Sequence, residues 1–239
     1  MIFYYIRHGD PIYDPDSLTP LGHRQAEAVA KRLSVFGIDE VYSSTSNRAI
    51  LTAMPTCEMN RIEKPTLLDF ANESHCWRDM TIDNGKGGRS WIFHVQSALE
   101  MLASEEVLAL GMRWYEHPYF AGYPYKEGLE RITRESDAFF ASLGYEHIPG
   151  TGKYKVINHT SRRIALFAHQ GFGIAFLSCL LNIPYSVFAS HFDIGHSGMT
   201  VINFPDRDGI SVPKVMTLAS DSHLYREGLP TLYNYDKRF

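Results

Sequence analysis

The chain has 239 residues, the size of one large domain or of one domain that carries an insertion. Hydrophobic residues make up 44% and charged residues 21%, a composition that excludes a disordered protein. The formal net charge of −4 gives no overall attraction to nucleic acid or to an anionic membrane, so any anion-binding site must be a local pocket.

The cysteines and the N-terminal segment indicate the cellular compartment of the protein. Cys57, Cys76 and Cys179 are widely spaced and odd in number, which fits a reducing compartment better than a disulfide framework. The first apolar run ends at Ile6, too short for a signal-peptide core or a membrane span. We therefore expect a cytoplasmic protein. The eleven histidines form no HExxH or similar pair, so no metal site is expected.

Strands and helices alternate in the first part of the chain. Thr19 can cap a helix, Pro20 suits its first position and Gly37 suits its end. The expected elements are, in order, a strand at Ile2–Ile6, a helix at Leu21–Phe36, a strand at Glu40–Ser43, a helix from about Asn47 that Pro55 can kink, and a strand at Thr66–Phe70.

The alternation breaks between residues 79 and 152. This segment predicts helices at Trp91–Ala103, Glu105–Trp114 and Glu127–Leu143, so we interpret it as a helical insertion or cap within a single domain covering residues 1–239. Beyond it we expect strands at Lys153–Asn158 and Arg163–Ala168, joined as a hairpin across His159–Arg162, a helix at Phe172–Leu181, and strands at Met199–Phe204 and Lys214–Leu218. The pattern indicates an α/β fold with a mostly parallel sheet.

Cationic and proton-carrying side chains follow three of these strands. Arg7, His8 and Gly9 come directly after the first strand, Arg48 follows the second, and His169 follows the apolar strand at 163–168. Ligands of open α/β sheets bind at the carboxyl ends of the strands, and helices that begin there offer N–H groups to an anion. If the strands are neighbours, the sequence predicts one anion-binding pocket.

Several short motifs resemble the histidine phosphatase superfamily, also called phosphoglycerate mutase-like. The resemblance covers residues 1–60 and about 160–225, and the middle of the chain poorly. It implies a three-layer α/β/α sandwich with a mostly parallel sheet. The motifs that carry it are RHG at residues 7–9, LTPLGHRQA at 18–26, SS at 43–44 with RA at 48–49 and TA at 52–53, AH at 168–169 and DSHL at 221–224.

The resemblance implies phosphoryl transfer through a phosphohistidine on His8. A neutral imidazole is a competent nucleophile near neutral pH because its pKa lies close to 6.5. Arg7, Arg48 and His169 would clamp the phosphate, whose oxygens match the planar fork of a guanidinium. With this much positive charge we expect neither metal nor cofactor, and His8 and His169 are the candidate catalytic histidines.

The leaving oxygen of a phosphate ester needs a proton, which the superfamily supplies from a carboxylic acid after the third strand. The sequence ANESH at residues 71–75 resembles the form Asn-Glu-x-His of that motif, which makes Glu73 the candidate acid. Asp69 is the alternative, because the spacing to a following glycine differs here. Glu73 could also be an ordinary exposed loop acid.

Departures from the superfamily pattern limit the substrate prediction. After Gly9 the chain continues DPIY where many relatives carry Glu-Thr or Glu-Ser, and the Asn and Phe-x-Gly-Trp elements that mark true phosphoglycerate mutases are absent. We therefore expect hydrolysis of a small-molecule phosphomonoester, without nucleic-acid or membrane partners. A mutase-type phosphotransferase and an inactive phospho-ligand binding module are the alternatives. The sequence defines neither the substrate nor the oligomeric state.

Three weaker features stay open between a structural and a functional role. His191 and His196 flank a loop that is either unremarkable or part of the pocket rim. The basic segment NGKGGR at 84–89 is interpreted as a flexible loop that can reach an acidic substrate if it folds over the cleft. The aromatic residues between Trp114 and Tyr125 are expected to pack the insertion onto the sheet rather than to line a pocket.

Overall fold

A computed structural model describes residues 1–231 and Asn234. The helices are α1 (Pro20–Ser34), α2 (Asn47–Met59), α3 (Glu73–Met80), α4 (Gln96–Leu102), α5 (Glu105–Leu110), α6 (Tyr125–Ser142), α7 (Gln170–Leu181), α8 (Tyr185–His191) and α9 (Ser222–Arg226). The strands are β1 (Ile2–Arg7), β2 (Pro11–Tyr13), β3 (Asp16–Leu18), β4 (Glu40–Ser44), β5 (Thr66–Leu68), β6 (Thr81–Asp83), β7 (Arg89–Trp91), β8 (Tyr145–Ile148), β9 (Lys153–Val156), β10 (Arg163–Ala168), β11 (Met199–Asn203), β12 (Ile210–Ser211) and β13 (Lys214–Ser220).

The central sheet has six strands in the order β13-β11-β1-β10-β4-β5. Strands β1, β10, β4 and β5 run parallel to one another, whereas β11 runs antiparallel to both β1 and β13. The predicted α/β class with a mostly parallel sheet is confirmed. The carboxyl ends of β1, β10 and β4 therefore lie side by side at one edge of the sheet.

Side chains of β1 alternate between two apolar cores, as the two-residue period of a strand requires. Phe3 and Tyr5 pack on one face of the sheet with the aromatic residues of α6 and α7. Ile6 packs on the other face with Val29 of α1 and Ala53 of α2. Helices thus cover both faces of the sheet, which gives the expected three layers.

The start of α1 follows the predicted capping pattern. Thr19 is the N-cap, and its hydroxyl oxygen accepts a hydrogen bond from Gly22 N at 3.0 Å. The helix packs against the loop that follows β1, and Asp10 N of that loop donates to Oε1 of the buried Gln25 at 2.8 Å. The LTPLGHRQA motif thereby fixes the segment that carries His8.

Gly22 is required by this close approach. A Cβ atom at Gly22 would lie 2.2 Å from the carbonyl oxygen of Asp10, a backbone atom that has no freedom to rotate away. We expect Gly22→Ala to destabilise the protein by roughly 1–3 kcal/mol in urea unfolding. At an open helical site the same change stabilises by about 0.5–1 kcal/mol, so a gain in stability would contradict the contact.

The segment between residues 79 and 152 contains strands as well as helices. The predicted helix at Trp91–Ala103 is wrong at its start, because Arg89–Trp91 forms β7, paired with β6, and the α-helix begins at Gln96. Short polar strands give no apolar periodicity, which is why this hairpin escaped prediction. Whether the segment acts as a cap within a single domain stays a prediction.

The aromatic residues of this segment pack as expected. Trp114, Phe120 and Tyr125 are fully buried, and the ring of Trp114 lies 5.0–5.3 Å from the rings of Phe120, Tyr125 and Tyr185. All three belong to the hydrophobic core, and Trp114 also lines a second cavity beside Tyr115 and Tyr185.

The predicted hairpin across His159–Arg162 is wrong. β9 pairs antiparallel with β8 and β12 in a separate three-stranded sheet, and β10 pairs with β1 and β4 in the central sheet. The pairing partner of β9 comes partly from residues distant in sequence, which local patterns do not reveal. Within the described ranges, no helix combines the length and the apolar character needed to cross a membrane.

Candidate active site

The structure brings the predicted phosphate-clamp residues together at the carboxyl edge of the sheet. Arg7 ends β1, His8 follows it, Arg48 lies in the first turn of α2 after β4, and His169 joins β10 to α7. The imidazole rings of His8 and His169 meet edge to face, with their centroids 5.2 Å apart. This convergence follows from the neighbouring positions of β1, β10 and β4.

A cavity of about 460 Å³ opens above these residues, a volume suited to a small-molecule ligand. Among the described residues that line it, the charged side chains are Arg7, Arg48 and Glu73, and the His8 ring is neutral. The lining residues are Arg7, His8, Tyr13, Ser46, Arg48, Asn72, Glu73, Ser74, Trp77, Trp91 and Gln170.

One ring nitrogen of His8 forms a hydrogen bond with the backbone. Nδ1 lies 2.7 Å from the carbonyl oxygen of Gly9, and because a carbonyl can only accept, Nδ1 must carry the proton. The lone pair of the neutral ring is therefore on Nε2, which makes no hydrogen bond to any described residue. His8 thus presents a nucleophilic nitrogen in a fixed orientation.

Backbone contacts from three elements hold the His8 segment. His8 N donates to the carbonyl oxygen of Ala168 at 2.9 Å, Ser197 N donates to the carbonyl oxygen of His8 at 3.0 Å, and Gly9 N donates to the hydroxyl of Thr52 at 3.0 Å. The Ser197 hydroxyl lies 3.1 Å from Nε2 of His223. The TA motif and the C-terminal DSHL motif therefore support the loop that carries His8.

The Arg7 guanidinium is almost fully buried behind the cavity. Its Nη1 donates to the carbonyl oxygen of Ile194 at 2.6 Å and to Oδ1 of Asn234 at 2.8 Å. Its Nη2 lies 2.9 Å from Nε2 of His196, so His196 packs behind the site rather than on its rim. Burial lowers the pKa of Arg7 to about 10, so Arg7 remains a cation at neutral pH.

Arg48 reaches the cavity from α2 and is oriented by two partners. Its Nη1 forms an ion pair with Asp16 at 2.8 Å, and its Nη2 lies 3.2 Å from Nδ1 of His169. The Nε groups of both Arg48 and Arg7 are buried and have no partner among the described residues. Both arginine side chains line the cavity, so their positive charge faces it.

His169 is fully buried and does not line the cavity. Because an arginine nitrogen only donates, Nδ1 of His169 accepts from Arg48, and Nε2 carries the proton toward the Ser44 hydroxyl at 2.8 Å. On these contacts His169 orients Arg48 and does not itself reach the cavity. Its predicted direct hydrogen bond to a phosphate oxygen stays a prediction.

Glu73 and Asp69, the two candidate acids, occupy different surroundings. Glu73 lines the cavity at the first position of α3, and its Oε1 accepts from Gly171 N at 2.9 Å. Its Oε2 is buried, has no hydrogen-bond partner among the described residues, and lies 3.5 Å from Nδ1 of His169. The Asp69 side chain is 78% exposed, pairs with His75 at 3.0 Å and lies outside the cavity. The geometry favours Glu73.

Both candidate catalytic histidines are held neutral by their surroundings. Burial holds the pKa of His8 well below 6.5, with further lowering by His169 and Arg7. Burial likewise holds the pKa of His169 well below 6.5, with further lowering by Arg48 and Arg7. At neutral pH the Nε2 lone pair of His8 is therefore available, and it stays available in mild acid.

Two buried histidines that support the site, His196 and His223, should make the free energy of unfolding fall in acid. Burial lowers the pKa of His196 to about 3 and that of His223 to about 4, whereas an unfolded chain protonates them near 6.5. Stability is therefore full above pH 6.5 and falls toward pH 4, by up to about 1.4 kcal/mol per pH unit for each histidine. Urea unfolding at several pH values measures this slope.

A pair of variants separates this effect from general acid denaturation. His223→Gln should reduce the slope between pH 6.5 and 4 by the contribution of one buried histidine, while the same change at the exposed His23 should leave it unaltered. Equal slopes in the two variants would contradict the assignment to buried histidines.

Several lining residues were missed by sequence reasoning. Trp77 had a usable signal, because it lies four residues after Glu73 on a helix and so shares its face. Trp91, from an unpredicted strand, had none. The basic segment 84–89 forms the β6–β7 turn, and Arg89 donates to Thr81 Oγ1 at 2.7 Å instead of entering the cavity.

The chain resembles known proteins in sequence over its N-terminal part and in fold over most of its length. Residues 3–85 match the model of the histidine phosphatase superfamily (branch 1), and no curated protein sequence matches the chain. The phosphoserine phosphatase of Entamoeba histolytica, solved with 3-phosphoglyceric acid, is 18% identical, with 93% of this chain and 98% of that chain covered and a TM-score of 0.58.

Two other solved phosphatases share the fold. The α-ribazole phosphatase of Shigella flexneri is 18% identical over 92% of this chain and 96% of its own, with a TM-score of 0.57. The mycobacterial glucosyl-3-phosphoglycerate phosphatase is 14% identical over 92% and 99%, with a TM-score of 0.50. The resemblance to the histidine phosphatase superfamily is therefore confirmed, in sequence over the N-terminal segment and in fold over most of the chain.

Proposed function

We propose that this protein is a phosphatase that hydrolyses a small-molecule phosphomonoester through a phosphohistidine on His8. The observation that carries the proposal is the state of His8: the ring is neutral, Nδ1–H is bonded to a carbonyl, and Nε2 has no hydrogen bond to a described residue in a cavity lined by two guanidinium groups. A nucleophile next to paired cations is the arrangement that transfer of a dianionic phosphoryl group requires.

The phosphoryl group binds between Arg7 and Arg48. The two guanidinium groups line the cavity and supply N–H donors and positive charge, and the first turn of α2, which begins after Ser46, adds the positive end of a helix dipole. His169 and Asp16 position Arg48 from behind. These contacts stabilise the charge that spreads over the nonbridging oxygens in the transition state.

Phosphoryl transfer occurs in two displacements. Nε2 of His8 attacks phosphorus while the ester P–O bond breaks, and Glu73 gives its proton to the departing oxygen. The Gly9 carbonyl keeps its bond to Nδ1–H and stabilises the positive ring that forms. Water then attacks phosphorus with Glu73 as base, and inorganic phosphate leaves with neutral His8 restored.

The first test is phosphate release from an aryl phosphate with EDTA present. We expect turnover that EDTA leaves unchanged, with inorganic phosphate acting as a competitive inhibitor because it occupies the same clamp. Loss of turnover on EDTA treatment, recovered by added metal, would contradict the metal-independent mechanism.

The same assay separates the alternatives. A mutase-type phosphotransferase would release little phosphate and would depend on a bisphosphate primer. An inactive binding module would bind phosphate without turnover. Arg48→Ala should raise the inhibition constant of phosphate and lower kcat/KM together, and a change in thermal stability alone would reduce Arg48 to a structural residue.

The cytoplasm is the compartment that we propose for this reaction. Cys57, Cys76 and Cys179 are all buried free thiols, which a reducing environment preserves.

A further inference from the structure

We propose that the alcohol portion of the substrate carries a flat aromatic or heteroaromatic ring and no second anionic group. The inference rests on the proposed function and extends it to the substrate. It comes from the residues that surround Glu73, on the side of the cavity where the leaving group must lie.

Phosphoryl transfer places the leaving oxygen opposite the nucleophile. Because Glu73 is the group that protonates this oxygen, the alcohol portion lies beside Glu73 and the first turns of α3. Trp77 follows Glu73 by four residues on that helix and lines the same cavity. Trp77 is therefore positioned to contact the alcohol portion of a bound ester.

Trp91 closes this part of the cavity from the β6–β7 hairpin. A Cβ atom at Gly171 would lie 2.4 Å from Cη2 of Trp91 and 2.6 Å from Oε1 of Glu73, so the indole edge and the carboxylate lie next to each other. The Trp91 ring is held in place by stacking on Phe93, with centroids 5.6 Å apart and planes 7° apart.

The indole rings of Trp77 and Trp91 meet nearly at a right angle and form an aromatic corner with two ring surfaces. Their centroids are 5.1 Å apart and their planes meet at 89°. Trp77 is 41% exposed and lines the cavity, so part of its ring is accessible to a ligand. A flat ring in the corner would stack on one indole and meet the other edge to face, both favourable geometries.

The charge in the cavity excludes a second anion. Among the described lining residues Arg7 and Arg48 are the only cations, and the phosphoryl group occupies both. The residues around the alcohol portion are otherwise uncharged or acidic, namely Asn72, Glu73, Ser74, Trp77 and Trp91. A carboxylate or second phosphate there would lose water and gain no opposite charge.

Matched alkyl phosphates test the aromatic preference. Benzyl phosphate and cyclohexylmethyl phosphate have similar size and similar leaving groups, so kcat/KM compares the rings. We expect benzyl phosphate to be favoured by about 3–10-fold. We expect 4-carboxybenzyl phosphate to react about tenfold more slowly than benzyl phosphate. Equal values for benzyl and cyclohexylmethyl phosphate, or a preference for the carboxylate, would overturn the proposal.

Two variants show whether Trp77 produces the preference for an aromatic ring. In Trp77→Leu the ratio of benzyl to cyclohexylmethyl phosphate should fall below about twofold, with the change mainly in KM. The same change at Phe36, an aromatic residue that is 68% exposed and outside the cavity, should leave the ratio unaltered. Equal loss on both substrates in Trp77→Leu would assign Trp77 to the structure rather than to the substrate.

Binding of inert phosphonates keeps this test independent of turnover. Benzylphosphonate should bind the native protein more tightly than cyclohexylmethylphosphonate, measured by indole fluorescence or calorimetry. Absence of hydrolysis for every ester would overturn the proposed function, while the phosphonate ratio would still decide the aromatic subsite. Equal phosphonate affinities would overturn the subsite alone.

Discussion

Replacing His8 by alanine is expected to lower kcat for phosphate release by about 10⁴-fold or more, because the group that accepts the phosphoryl is removed. The His8 side chain is buried and bonds only to the backbone of its own loop, so the sheet and both cores remain packed. Initial rates with an aryl phosphate, together with the melting temperature of the variant, measure the two effects separately.

The matched control is His23→Ala. His23 lies on the exposed face of α1, so its loss should change neither rate nor melting temperature. Retention of more than about a tenth of native activity in a folded His8→Ala protein would rule out His8 as the nucleophile, since the residual activity left after loss of a nucleophile is far smaller.

Replacing Glu73 by glutamine is expected to lower kcat/KM for an alkyl phosphate by about 10²–10⁴-fold. An amide has no proton to give to an alkoxide, yet its oxygen can still accept from Gly171 N, so the local geometry is preserved. For a nitrophenyl phosphate the loss in kcat/KM should stay below about tenfold, because that leaving group departs without a proton.

Asp69→Asn is the control for this experiment. Asp69 pairs with His75 outside the cavity, so its neutralisation should leave kcat/KM within about twofold for both substrates, as a surface ion pair contributes little. A loss that depends on the leaving group in Asp69→Asn, and not in Glu73→Gln, would transfer the acid role to Asp69.

The sequence predicted the parts of the fold that have strong local signals. β1 and β10 are short apolar runs, and α1 has a capping threonine, a proline and an amphipathic face, so the elements were found within a few residues of their ends. The convergence of His8, Arg48 and His169 followed from a general property of parallel sheets, that their carboxyl ends meet at one edge.

The parts that escaped prediction depend on contacts between distant segments. β9 was paired with the wrong strand although PGTG at residues 149–152 is a turn signal between β8 and β9. Its other partner, β12, is distant in sequence, and local patterns do not reveal that pairing. The support of Arg7 by His196 joins residues 189 positions apart. Nothing local distinguishes such a buried histidine from one in an exposed loop.

The aromatic corner shows the same limit within the site. Glu73 and Trp77 share a helix face, so their association was within reach of the sequence. Trp91 enters from a hairpin whose strands are three residues each and largely polar, too short for a periodic pattern. The candidate histidines and arginines were therefore predicted from strand ends, while Trp91, on the Glu73 side of the cavity, required the structure.

The most direct test of the account is to look for the phosphohistidine. The native protein is mixed with an aryl phosphate, quenched in base within the first turnovers, digested and examined by mass spectrometry under conditions that keep the phosphorus–nitrogen bond. The account predicts one phosphoryl group on the peptide that contains His8, formed and lost at rates that match turnover. Turnover with His8 unmodified, or with the phosphoryl group on another residue, would contradict it.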